Sequence, residues 1–277
     1  VAVVMTSRFA LAGSPIAHSR SPVMHQAAFR ALGIDATYEL RVTEVEGLPG
    51  LLYELQRGVW QGINVTTPLK TEVARHCLCD DGAARAGAVN TVWHAGESLC
   101  ATLTDIDGVR EPLTARKVTF SRVGGEAVIL GAGGASRAAA LALAAMGARV
   151  SVAARDAGKA QAVIDILHEH ERGEAMPLAR MAAPGALRDV RVLVQATPLG
   201  RNGESLALDW EGTSLVAFEM LYTPRETPFL ASAKAAGCAV VEGWEMLLAQ
   251  GARSFELWLG VDPPRDVMRD ALLATLA

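Results

Sequence analysis

The sequence predicts an α/β protein of two domains with mostly parallel sheets, and three observations carry that prediction. Strand-like and helix-like segments alternate along all 277 residues, the pattern of parallel sheets covered by helices. The run AVILGAGG, residues 127–134, is a buried strand passing directly into glycines and then into an alanine-rich helix. The segment Glu111–Glu126, rich in charge and holding a Gly-Gly pair, changes the texture of the chain and marks a boundary near residues 110–125. Residues 1–110 are therefore expected to form one domain and 111–242 a second. The tail 243–277 is expected to be helical and to pack back onto the first domain, whose own elements are too few to cover its sheet.

The elements follow in order. Phe9–Ala12 is a short apolar strand ending at Gly13. Ser21-Pro22 opens a helix, with Ser21 as N-cap and Pro22 at the first helical position, and Gly33 closes it. Tyr38–Val42 is strand-like, and Leu51–Gln56 has helical apolar spacing. Gly62–Val65 is the next strand, stopped by Pro68, with Lys70 opening a helix. Ala88–Trp93 and Leu99–Leu103 read as a strand pair around Ala95-Gly96-Glu97. Beyond the boundary, the second unit runs through Val150–Ala154, Val190–Val194 and Leu215–Phe218 to about Val241.

Composition narrows the function. A hydrophobic fraction of 51% against 20% charged supplies sizeable cores and argues against disorder. A net charge of −4 leaves no basic footprint for nucleic acid and no polybasic patch for a membrane. The apolar stretch Ala138–Ala145 is too short to span a bilayer. Cys77, Cys79, Cys100 and Cys238 match neither a zinc pattern nor a disulfide framework, so reduced packing thiols of a cytoplasmic protein are expected. The opening VAVVMTSRFALAG lacks the pattern of a signal peptide, and Met5 reads as a natural start with four residues ahead of it. His168 and His170, two apart, are expected on different helix faces, so no metal site is predicted. His18 and His25 flank the segment discussed below; a structural role is expected for them, with His18 also able to shape a cleft.

GAGGASR, Gly131 to Arg137, has a strand before it and a helix after it, the context that makes a glycine-rich loop a dinucleotide-binding turn. Gly131 allows the tight turn, Gly133 lets the backbone approach a pyrophosphate, and the helix start supplies N–H donors. Ser136 replaces the third glycine. The next strand ends on Ala154-Arg155 rather than on an acid, with Lys159 one turn later. A planar guanidinium and a second cation suit a 2′-phosphate, so NADP is predicted over NAD. Asp156 beside them either repels the phosphate or holds Arg155 in place.

A nicotinamide enzyme acting on a ketone needs a proton donor beside the carbonyl. Lys70, at a strand end, has the position, and Asp105 in TDIDG is its candidate partner; taken alone, Lys70 reads as a solvated lysine. Ser19 and Ser21 alternate around Arg20, so that in an extended segment both hydroxyls face one side, next to a helix start that favours a carboxylate. Asn90 in GAVNT offers an amide that both donates and accepts.

The motifs GSPIAHSRSPVMH, GINVTTPLK, AGAVNT, TDIDG, GAGGASR, ATPLG, EMLYTPRETPFL and GWEMLLAQGARSFELWLG occur in this order through nearly the whole chain. On them the chain resembles the shikimate dehydrogenase family. The resemblance implies an N-terminal substrate domain with a mixed sheet, a Rossmann-like NADP domain, and C-terminal helices returning to the first domain. It implies NADPH-dependent reversible reduction of 3-dehydroshikimate to shikimate, a step of aromatic amino acid biosynthesis, by a monomer or homodimer. Lys70 and Asp105 would be the catalytic pair, and both would also contact substrate. Ser19 and Ser21 would bind the carboxylate, with Tyr222 nearby, and Thr66, Asn90 and Gln250 the ring hydroxyls. Gly131, Ala132, Gly133, Gly134, Ala135, Arg155, Lys159, Thr197, Met220, Gly243 and Met246 would hold the cofactor, the residues Gly243 and Met246 at its nicotinamide. The chain departs from the family pattern at Leu103, Gln195, Glu219 and Ala154-Arg155-Asp156; Leu103 loses an amide that would support the catalytic loop. Two other readings are a quinate/shikimate dehydrogenase with relaxed substrate or cofactor choice, and a non-catalytic NADP sensor. Retention of both serines favours shikimate, and retention of Lys70 with Asp105 favours catalysis.

Overall fold

The computed structural model describes residues 6–96, 98–120 and 125–276. The expected start at Met5 and the role of the four residues ahead of it lie outside these, as do Glu97 of the predicted turn and residues 121–124 of the boundary segment. The chain divides into two compact units, one running to Thr104 and resuming at Gln250–Thr275, the other Asp105–Ala249.

In the first unit the elements are β1 (Ser7–Gly13), α1 (Ser21–Leu32), β2 (Ala36–Val42), α2 (Leu48–Gln56), β3 (Gly62–Val65), α3 (Lys70–Ala74), β4 (Leu78–Cys79), α4 (Asp81–Ala86), β5 (Thr91–Ala95) and β6 (Ser98–Thr102). They build a sheet of order β2-β1-β3-β5-β6-β4. Strand β1 runs parallel to β2 and β3, whereas β5 is antiparallel to both β3 and β6. The sheet is thus mixed. Continuous apolar runs explain the centre: all four residues of β3 and the last five of β1 are buried, as expected of strands covered on both faces.

The helix start at residue 21 differs from the expectation. The N-cap is Arg20, with φ −96° and ψ −2°, and Ser21 is already the first helical residue. Ser19 Oγ accepts from the Ser21 N–H at 3.2 Å, so residues 19–21 form a serine turn rather than an extended segment with alternating side chains. Gly33 closes the helix as predicted, at φ 64°. Elements β4 and α4 were not anticipated; their segment is short and polar, and Asp80 organises it by accepting from the Ala83 N–H at 2.9 Å and the Thr102 hydroxyl at 2.5 Å. The four cysteines are free, and burial pushes the Cys77 thiol up to about 12.

The second unit contains α5 (Asp105–Ala115), β7 (Glu126–Leu130), α6 (Gly134–Ala145), β8 (Arg149–Ala154), α7 (Ala157–Ile164), β9 (Arg172–Pro177), β10 (Val190–Gln195), β11 (Val216–Glu219), α8 (Pro228–Ala235) and β12 (Ala239–Val241). Its strands are all parallel, in the order β12-β11-β10-β7-β8-β9. This is the doubly wound order, whose direction of winding reverses between β7 and β10. Residues 138–144 of α6 are buried, the packed helix that their composition predicts. His168 and His170 correct the expectation of separate helix faces: His168 caps a 3-10 turn, Glu169–Glu171, that contains His170, and their rings lie parallel with centroids 5.9 Å apart. Among the described residues no helix is long and apolar enough to cross a membrane.

Helices α9 (Gly243–Leu259) and α10 (Arg265–Leu273) complete the chain's elements. From Gln250 onward they belong to the first unit, where α10 packs on α1. Phe255 and Trp258 enter an aromatic cluster, Trp258 stacking on Phe9 at 5.0 Å and Phe255 meeting Phe29 at 5.4 Å. Trp258 Nε1 donates to the Val92 carbonyl at 3.2 Å. Gly62 is required beneath this ring, because a Cβ there would overlap the indole.

Candidate active site

Backbone bonds bring the loops that carry Ser19, Ser21, Thr66, Lys70 and Asn90 to one end of the first unit's sheet. The Ser14 N–H donates to the Thr67 carbonyl at 2.9 Å, joining the loop after β1 to the loop after β3. Gly13, at φ +153°, permits this approach: a Cβ there would meet Thr66 Cγ2 at 2.5 Å and the Thr67 oxygen at 2.7 Å. Ser19 and Ser21 follow on the first loop, Thr66 and Lys70 on the second. The Val89 N–H donates to the Lys70 carbonyl at 3.0 Å, which ties the start of α3 to the loop holding Asn90.

Asn90 is buried and fully engaged. Its Oδ1 accepts from the Thr104 N–H at 2.6 Å, and its Nδ2 donates to Thr104 Oγ1 at 3.0 Å and to Gln250 Oε1 at 3.1 Å. Two residues assigned to the ring hydroxyls by resemblance are thus a hydrogen-bonded pair. The same contacts answer the loss of an amide at position 103. Leu103 is buried as an ordinary core residue, and Asn90 holds the backbone of Thr104, immediately before Asp105. Asp105 opens α5 and is also buried.

In the second unit the glycine loop lies at the reversal point of the sheet. A cavity of about 290 Å³ is lined by Gly131–Gly133, Ala154–Asp156, Lys159, Leu178 and Ala196–Leu199. Gly131, at φ +107°, lets the loop pass β10: a Cβ there would lie 3.0 Å from Thr197 Cγ2 and 3.1 Å from the Ala196 oxygen. At Gly133 a Cβ would meet open space, leaving its backbone accessible to a ligand. Gly134 and Ala135 begin α6, and Ser136 Oγ accepts from the Gly133 N–H at 3.1 Å, so the replacement for the third glycine is a buried hydroxyl that shapes the loop. Arg155 and Lys159 are exposed at the cavity. Asp156 has a third role beyond the two considered: it N-caps α7 by accepting from the Lys159 N–H at 3.0 Å. These residues fit NADP, with helix-start N–H groups for the pyrophosphate and two cations, without an acid at the strand end, for a 2′-phosphate.

Gln195 and Glu219, the two departures on neighbouring strands, are built into the loops they precede. Gln195 Oε1 accepts from the Thr197 N–H at 3.0 Å, and Thr197 Oγ1 accepts from the Leu199 N–H at 3.2 Å. Glu219 is fully buried, accepting from the Leu221 N–H at 2.9 Å and the Thr227 hydroxyl at 2.8 Å. It thereby shapes the segment holding Met220 and Tyr222. Gly243 is needed beside that segment, since a Cβ would overlap the Leu221 carbonyl, and Met246 is buried one turn along α9.

Burial pushes the Glu219 carboxyl up to about 7 from 4.5, against the hydrogen bonds that lower it. The folded state therefore holds this proton more tightly than the unfolded chain. Its contribution is fully present below about pH 4.5 and is lost as pH rises through about 7. Glu219→Gln, which cannot ionise, is expected to gain stability relative to wild type on going from pH 5 to pH 8, by on the order of 2–3 kcal/mol. Thermal melts of both proteins across that range check it, and a difference that stays constant with pH rules it out.

Sequence reasoning missed Leu178 and Pro198–Leu199 in the cavity wall. Leu178 follows β9, whose segment RGEAMP carries no strand pattern. It also missed Tyr38, Asn64, Thr91, Thr104 and Ser254, which form a buried polar cluster around Asn90. Their signal was weak because each is an ordinary small polar residue in an otherwise apolar segment.

Comparison with known proteins bears on this arrangement. Residues 11–92 match the shikimate dehydrogenase substrate binding domain, and 243–273 the shikimate 5'-dehydrogenase C-terminal domain. Shikimate dehydrogenase (NADP(+)) of Halobacterium salinarum is 38% identical over 275 residues, covering 97% of this chain and 99% of that protein. The crystal structure of shikimate 5-dehydrogenase from Thermus thermophilus in complex with NADP(H) and shikimate superposes with a TM-score of 0.86 at 37% identity, covering 98% of this chain and 100% of that one. Quinate dehydrogenase from Corynebacterium glutamicum in complex with NAD gives 0.86 at 26% identity, covering 97% and 99%. At 38% identity over almost the full length of both proteins, the chain belongs to the shikimate dehydrogenase family.

Proposed function

We propose that the chain catalyses the reversible NADPH-dependent reduction of 3-dehydroshikimate to shikimate, in the cytoplasm. The observation that carries this reading is the gathering of Ser19, Ser21, Thr66, Lys70, Asn90 and Gln250 at one end of the first unit's sheet. The substrate is a ring with a carboxylate at one end and a ketone with hydroxyls at the other. Ser19 and Ser21, at the start of α1, suit the carboxylate through hydroxyl donors and the positive end of the helix. Thr66 and the Asn90–Gln250 pair take the ring hydroxyls.

The cofactor, when bound, supplies the hydride. Gly131–Ala135, Arg155, Lys159, Thr197, Met220, Gly243 and Met246 are the residues that hold it. Lys70 gives its proton to the carbonyl oxygen, so that no free alkoxide forms, and takes one back in the reverse direction. Asp105 is the carboxylate that works with it. The serines and the amide pair orient the ring, which converts encounter into a fixed approach.

The test is the absorbance of reduced nicotinamide with shikimate or quinate, each with NADP or NAD. Turnover should be dominated by shikimate with NADP. Arg155→Ala should lower kcat/KM for NADP by roughly 10–100-fold, the loss of a charge-assisted contact, while leaving NAD nearly unaffected. Comparable rates with quinate or NAD would place the protein among relaxed relatives. NADP binding without any turnover would make it a sensor and overturn the reading.

A further inference from the structure

The second unit holds another cavity, at the end of its sheet away from the glycine loop. It measures about 960 Å³ and is walled by residues that open the parallel strands: Glu126 of β7, Arg149 of β8, and Val190 and Arg191 of β10. Arg188, Asp189, His170, Glu174 and Ser214 complete the wall. The volume is that of a site for a small organic molecule. Open parallel sheets hold their ligands at the opposite end, where helix N-termini supply N–H donors. Recognition here has to come from side chains instead. In a chain of net charge −4, three arginines line this one cavity.

Three acids line it too, so the balance depends on what each group already does. Glu174 is paired with Arg180 at 2.5 Å, and Glu126 accepts from the Ser151 hydroxyl. Arg149 spends only its Nε, which donates to the Arg172 carbonyl at 2.9 Å, and keeps both Nη groups. Among the described residues Arg188, Arg191 and Asp189 form no ion pair. Asp209 feels the Arg188 charge, but its oxygens accept from the Gly185 and Glu211 N–H groups at 2.6 and 3.2 Å. The carbonyls that end α6, beside Gly147, are taken by the N–H groups of Met146, Gly147 and Ala148. What remains is three guanidinium forks, the His170 ring and the Ser214 hydroxyl, against a single uncommitted carboxylate, Asp189. That is a surplus of donors suited to a multiply charged anion.

We propose that this cavity is a second binding site, for a small phosphorylated molecule whose phosphoryl group is held by Arg149, Arg188 and Arg191. A phosphate ester carries close to two negative charges at neutral pH and three acceptor oxygens. Planar guanidinium forks match that geometry, and the volume leaves room for the rest of the molecule beside His170. The site shares no residue with the proposed substrate and cofactor sites, so the inference does not depend on those assignments.

The experiment titrates inorganic pyrophosphate into the full chain saturated with NADP, so that the glycine-loop cavity is filled, and follows binding by calorimetry. One pyrophosphate per chain is expected. Arg188→Gln and Arg191→Gln, both at exposed positions, should each weaken binding by about tenfold, the equivalent of one charge-assisted hydrogen bond. Asp189→Asn should tighten it by about two- to fivefold, because it removes the one uncommitted acid. Turnover of shikimate with NADP, measured without pyrophosphate, should be the same in all three variants. Absence of saturable binding, or an affinity that ignores both arginines, overturns the proposal. Weaker binding to Asp189→Asn overturns it as well, since the cavity would then favour a cation or a zwitterion.

Discussion

Lys70→Ala is expected to lower kcat by roughly 10²–10⁴-fold, the usual contribution of a positioned general acid, with a much smaller change in KM for shikimate. The serine turn and the Asn90–Gln250 pair remain in that variant, so most groups proposed to hold the ring survive. Lys70→Arg should not rescue it. A guanidinium keeps the charge but does not release its proton at accessible pH, so a variant that restored turnover would show Lys70 to act through charge alone. Steady-state rates with shikimate and NADP measure both, and a Lys70→Ala enzyme within about tenfold of wild-type kcat would sink the proton-transfer role.

Gly62→Ala should cost stability rather than chemistry. The added methyl runs into the Trp258 indole, in a strand where all four residues are buried. Neither side can yield easily: β3 is paired on both edges, and Trp258 stacks on Phe9 and donates to the Val92 carbonyl. Overpacking of this kind costs about 1–3 kcal/mol. Denaturant titration of Gly62→Ala in the wild-type and Trp258→Leu backgrounds distinguishes a steric cause from a loss of strand propensity. The cost should fall below about 1 kcal/mol once the indole is gone; an equal cost in both backgrounds would refute the contact as its origin.

Most of the architecture was legible where local chemistry and tertiary demand agree. The strand entering GAGGASR, the buried run Gly62–Val65 and the helix from Ser21 to Gly33 each follow from a few adjacent residues. The misreadings share a cause. Ser21 matched an N-cap by type, yet Ser19 accepts its N–H and moves the cap to Arg20, a choice made by turn geometry. His168 and His170 were expected on different helix faces from their spacing of two, whereas the chain there forms only a short 3-10 turn. The Ser254 cluster was illegible for a different reason. Its contact with Asn64 spans 190 positions, and nothing in either local segment announces the other.

The discontinuity of the first unit has a consequence for synthesis. Its opening strands leave the ribosome first, yet its aromatic core lacks Phe255 and Trp258, and Asn90 lacks Gln250, until the residues from Gln250 to Thr275 have emerged. The second unit is one uninterrupted stretch, Asp105–Ala249, and can mature while the first waits with its centre unfilled. In a growing chain the usual N-terminal-first order is therefore inverted, and the exposed apolar strands Phe9–Ala12 and Gly62–Val65 are the segments most in need of chaperone cover during that interval.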